Sequence, residues 1–74
     1  MNEQDFLAFF AGLFDEKEEG LAMDTEFRYL DNWSSLTGLC FITDMKEKFG
    51  KTITVPEFKA SETIEDLFVL YKSK

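Results

Sequence analysis

Few side chains in this sequence could do chemistry, and three of them share one short stretch. Residues 32–41 read NWSSLTGLCF, which places Ser34, Ser35 and Cys40 at and just inside the start of an apolar run. The chain has no histidine, so neither a Ser–His nor a Cys–His nucleophile can be assembled within it. One cysteine without histidine also excludes a zinc finger. No glycine-rich loop leads into the Lys-Ser/Thr of a phosphate cradle. Asp24, Glu26 and Asp31 are close in sequence but lack the twelve-residue spacing of a calcium loop. This inventory points away from an enzyme and away from a metal centre. The serine pair is what remains. A serine at a helix start caps a free backbone N–H through its hydroxyl. The same position has a field that favours negative charge, so a phosphate esterified to Ser35 would be stabilised without a basic pocket. The residues alone leave both readings open, two caps or a cap and an attachment point.

The elements that would position this pair follow from apolar spacing. Phe6, Phe9, Phe10, Leu13 and Phe14 trace one face of a first helix, with Asn2 as its cap and Glu3 and Asp5 in its first turn. The polar run DEKEEG ends at Gly20 and predicts a helix exit and loop. In the following LAMDTEFRYLDN, Asp24 or Thr25 is expected to cap one short turn while Phe27 and Leu30 pin the loop to the core. A second helix is predicted from the serines to Phe49, burying Leu39, Ile42, Met45 and Phe49, with Gly50 at its left-handed exit. Gly38 within it costs about 1 kcal/mol against alanine. That cost is consistent either with close approach of another group or with simple tolerance. Ile53 and Val55 suit an extended stretch, and Pro56 the first position of a short helical turn carrying Phe58 inward. Thr63 and Asp66 form a near capping box for a last helix burying Ile64, Leu67, Phe68 and Tyr71, with Lys72 and Lys74 at its end. The expected fold is all-α: one domain over residues 1–74, a four-helix bundle of three main helices plus a short one, with a long first loop.

Composition narrows the partners. The chain has 74 residues, fifteen acids and eight bases, for a net charge of -7. That charge disfavours nucleic acid and anionic membrane. Nine of the acids fall within residues 1–31 against Lys17 and Arg28, whereas residues 32–74 balance six against six. The acidic half is a solvated surface or a steering field for a basic partner. The single cysteine fits a reducing compartment. No basic n-region opens the sequence, and no apolar run approaches the ~20 residues of a membrane span. A cytoplasmic monomer is expected.

Several ordered features then resemble one family. Ser35 is followed by Leu36, and Phe49-Gly50 closes the helix fourteen residues beyond the serine. TEFRYL precedes the pair, and ITVPEFKASETIEDLF follows with a short-helix turn and a Thr-Ile-x-Asp-Leu opening. Over roughly Phe6 to Leu70 this pattern resembles the acyl carrier proteins and the related peptidyl or aminoacyl carrier domains. The resemblance implies a bundle of the acyl-carrier type. It also implies that a 4'-phosphopantetheine arm from coenzyme A is attached to Ser35, carrying acyl or aminoacyl groups as thioesters. The implied partners are a phosphopantetheinyl transferase, which would supply Mg²⁺ and the base, and acyl-loading and synthase enzymes. The implied recognition surface is the second helix with its preceding loop: Ser34, Leu36, Cys40, Thr43, Asp44 and Glu47. For Cys40 the residues equally allow a small core position.

This sequence departs from the family pattern in three places, the third being nine phenylalanines that crowd a small core and leave little room for a long acyl chain. Ser34 stands where the family has aspartate, and a hydroxyl cannot hold a transferase metal as a carboxylate can. The recognition helix mixes Asp44 and Glu47 with Lys46 and Lys48 instead of presenting a plain acidic stripe. The first implies slower modification or a dedicated transferase, and the second points to a specialised pathway rather than bulk fatty-acid synthesis. Ser34 in place of aspartate also motivates an alternative, an unmodified carrier-like module whose acidic surface binds other proteins.

Overall fold

The computed structural model describes residues Met1–Lys74 and contains four α-helices and no strands. They are α1 (Glu3–Phe14), α2 (Ser35–Phe49), α3 (Val55–Ala60) and α4 (Ile64–Ser73), with 3₁₀ turns at Glu18–Gly20 and Phe27–Tyr29 between α1 and α2. None of the helices is long and apolar enough to cross a membrane.

Helix boundaries follow local hydrogen bonding. Asn2 caps α1 by accepting the Asp5 N–H at 2.8 Å, while Asp5 reaches back to the Asn2 N–H. The α1 exit turns at Asp15, whose left-handed φ of 54° an aspartate tolerates better than most residues. Thr63 and Asp66 form the expected capping box of α4. Helix α3 starts one residue earlier than its proline suggests. Thr54 is the cap, Glu57 completes a second capping box, and Val55 is the first helical residue rather than part of an extended stretch. Gly50 closes α2 at φ 65°, as its position predicts.

The core is aromatic. Phe6, Phe10, Phe14, Phe27 and Phe41 are buried together with Met45, Ile64 and Leu67. Phe6 lies 5.1 Å from Phe68 and 6.2 Å from Phe41 between ring centroids, which joins α1, α4 and α2. The long connection is anchored at several points. The Ile64 N–H donates to Thr25 O and the Glu65 N–H to Met23 O, so the loop runs along the start of α4. Asn32 donates to Asp15 O at 2.9 Å and to Glu16 at 2.7 Å, bringing the entrance of α2 beside the exit of α1.

Two expectations about side chains need correction. The inward face of α2 carries Gly38, Phe41 and Met45, with Ile42 and Phe49 half-buried, whereas Leu39 is 53% exposed. The buried arc is centred on Phe41, and Gly38 has no side chain to announce its place in it. Neither Asp24 nor Thr25 caps the Phe27–Tyr29 turn; Glu26 precedes it without a side-chain bond. The Thr25 hydroxyl instead accepts the Ala22 N–H at 2.9 Å, closing the preceding turn.

Candidate functional site

The two serines divide their roles. Ser34 is the cap of α2: its Oγ accepts the Thr37 N–H at 3.2 Å and lies 2.9 Å from the Thr37 hydroxyl. Ser35 is the first helical residue, exposed, and its hydroxyl has no partner in the chain. Capping therefore needs one serine only. The N–H groups of Ser35 and Leu36 have no intrahelical acceptor, because the first turn of any helix lacks one. Negative charge placed on Ser35 would meet these donors and the positive end of a fifteen-residue helix.

Ser35 opens onto a groove of about 460 Å³ between α2 and α3. From α2 the groove takes Gly38, Leu39 and Ile42; from α3 it takes Val55, Phe58 and Lys59. Trp33 and Arg28 close its end nearest the loop. The floor depends on Gly38. A methyl group there would lie 3.0 Å from Phe58 Cε2 and 3.1 Å from Trp33 Cη2, so both rings press against the helix at a point only glycine leaves open. The Trp33 and Phe58 rings stack at 5.9 Å and 19°.

Arg28 holds this wall in place. Its guanidinium donates to Ser61 O, and at 3.0 Å to both Phe58 O and Lys59 O, covering the carbonyl end of α3. The same group lies 4.9 Å from the Phe27 ring centroid and about 6 Å from those of Phe58 and Trp33. At the other end of α3, Lys74 donates to Glu57 at 2.9 and 2.7 Å. That contact, with the Thr54 N–H, holds the Glu57 carboxyl down to about 2. The Asp66 carboxyl is likewise lowered, by the Glu62 and Thr63 N–H groups.

The remaining recognition candidates lie along α2 at helical spacing. Leu36 is 71% exposed, and Cys40, Thr43 and Glu47 are exposed after it on the same strip. Asp44 is half-buried at the edge of the strip and pairs with Lys48 at 3.6 Å. Leu36, Leu39 and Val55 are exposed apolar residues, and Leu39 and Val55 line the groove together with Ser35. Cys40 faces outward, which settles its two readings against a core position.

No family model, curated protein or solved structure matches this chain.

Sequence reasoning missed Arg28, Trp33 and the Glu57–Lys74 pair. Arg28 counted only as a charge in an acidic loop, and its three acceptors lie 30 to 33 residues away, so no local spacing marks it. Trp33 had one available signal, an aromatic ring directly ahead of a helix cap.

Proposed function

We propose that this chain is a carrier protein that is loaded on Ser35 with a 4'-phosphopantetheine arm and shuttles thioester intermediates between partner enzymes. One observation carries the proposal: Ser34 caps α2, and Ser35 is left exposed with a free hydroxyl at the helix start. The chain fits the group. Ser35 offers an unengaged nucleophilic oxygen, the first-turn N–H groups favour the phosphate charge, and an apolar groove begins beside it.

On a transferase, Ser35 Oγ would attack the pyrophosphate of coenzyme A, forming a phosphodiester and expelling adenosine bisphosphate. As the resemblance to carrier proteins implies, the transferase would supply the metal and the base. When bound, the arm supplies a terminal thiol that holds acyl groups as thioesters. The chain's own contribution is presentation: α2 fixes the serine, and Leu36, Leu39 and Thr43 form a surface for enzymes to grip. The test is intact mass after incubation with coenzyme A, Mg²⁺ and a broad-specificity phosphopantetheinyl transferase. A gain of one arm is expected in the parent and none in Ser35→Ala. Loading that persists in Ser35→Ala would refute the assignment.

The neutral hydroxyl of Ser34 favours a second reading, an unmodified interaction module with the carrier's shape. The variant Ser34→Asp separates the two. If the parent stays unloaded and Ser34→Asp loads, the missing carboxylate is responsible; if both stay unloaded, the result favours the module reading over the carrier.

A further inference from the structure

We propose that the groove between α2 and α3 is a binding site for small amphiphilic carboxylates, with the apolar part against Leu39, Ile42 and Val55 and the carboxylate toward Arg28 and Lys59. The charge pattern is the first support. In a chain of fifteen acids and eight bases, the groove is lined by two bases and no acid. Neither base is neutralised, since the chain's ion pairs are Lys48–Asp44 and Lys74–Glu57. Arg28 uses three N–H groups on the carbonyls of α3, leaving two of its five to donate elsewhere. Glu26 and Glu62 line a smaller cavity with Arg28, and neither comes within ion-pair distance of it.

Shape is the second support. The groove's volume falls within the roughly 300–1,000 Å³ of small-ligand sites. Its floor is preformed by Trp33 and Phe58 against Gly38. Beneath it Phe27, Phe41 and Met45 are fully buried, so an occupant stays in the groove and does not enter the core. A neutral apolar molecule would leave the cations unused, and a bare inorganic anion would leave the apolar wall unused. A short chain or ring ending in a carboxylate uses both. The site is present on the unmodified chain, so it does not depend on Ser35 carrying an arm.

Trp33, the only tryptophan, lines the groove and reports on it. The experiment titrates the full chain with octanoate and with octanamide, its uncharged counterpart, following Trp33 emission. Octanoate should give a saturable change, with octanamide about fivefold weaker or worse. Lys59→Gln alters an exposed side chain and should weaken octanoate about threefold, the scale of a solvent-screened ion pair, with octanamide unchanged. No saturable response to octanoate, equal affinities for the two probes, or octanoate binding untouched by Lys59→Gln would each overturn the proposal. A second arm distinguishes a free acid from a tethered one. In chain loaded on Ser35 with a terminally carboxylated acyl group, a tethered occupant abolishes octanoate binding, and a groove that serves free acids retains it. Failure to load would count against the carrier reading and leave the groove result standing.

Discussion

Replacing Arg28 tests whether one side chain holds α3 against the loop. In Arg28→Met the carbonyls of Phe58, Lys59 and Ser61 lose their shared donor, and three aromatic rings lose a stacked cation. A hydrogen bond from a charged group contributes about 1.5–3 kcal/mol where water is excluded. Arg28 is half-buried, so water can replace part of each bond, and about 0.5–1 kcal/mol apiece is the fitting figure. Three such bonds contribute about 1.5–3 kcal/mol, and the cation–aromatic contact adds about 0.5–1 kcal/mol. The methionine stem restores some apolar contact. A net loss of about 2–3 kcal/mol results, a large share of the ~4–11 kcal/mol that a domain of this length has in total.

Urea unfolding measures this loss. With a slope near 1 kcal/mol per molar, at the low end of the range for small domains, the midpoint falls by about 2–3 M. Arg28→Lys is the informative companion. It keeps the charge but cannot span three carbonyls with one planar fork, so it should lose most of the same stability. A shift below about 0.5 M in Arg28→Met would refute the stapling argument. A full rescue by lysine would show that charge, rather than the fork, is what α3 requires.

Two further outcomes follow from caps and carboxylates. Ser34→Ala should cost about 1 kcal/mol and Ser35→Ala close to nothing, measured by the same unfolding, because only Ser34 accepts the Thr37 N–H. Glu57 has a folded-state pKa of about 2, below its ordinary value, so its contribution is present above pH ~4.5 and is lost as pH falls toward 2. Glu57→Gln should flatten the fall of the urea midpoint across that window, and Asp66, shifted in the same direction, should leave some slope behind.

How far the fold could be read in advance depended on the range of the interactions that set each element. Caps and exits act within four residues, so Asn2, Thr63 and Gly50 were legible together with the helices they bound. The α1 face was legible because five apolar residues at helical spacing allow one phase only. The α2 face allowed two. Leu39, Ile42, Met45 and Phe49 make a regular stripe on paper, but the helix turns to bury Phe41 and presents Gly38 to Phe58 and Trp33. A glycine leaves no mark in a hydrophobic pattern, and the rings that need its space come from either side of it in the chain.

The candidate site divides along the same line. Ser35 and the outward strip of Leu36, Cys40, Thr43 and Glu47 belong to one helix, so their shared side follows from a period of 3.6 residues. The groove does not. It needs α3 beside α2, and α3 is held there by Arg28 from one end and Lys74 from the other, contacts that span 17 to 33 residues. The rotation that exposes Leu39 also places it at the groove's edge, next to Ser35. Leu39, expected in the buried stripe of α2, is thus the residue that joins the serine to the groove. Leu39 and Val55 leave apolar area in water along the groove beside an uncommitted hydroxyl, and an occupant of the groove would remove part of that area from water.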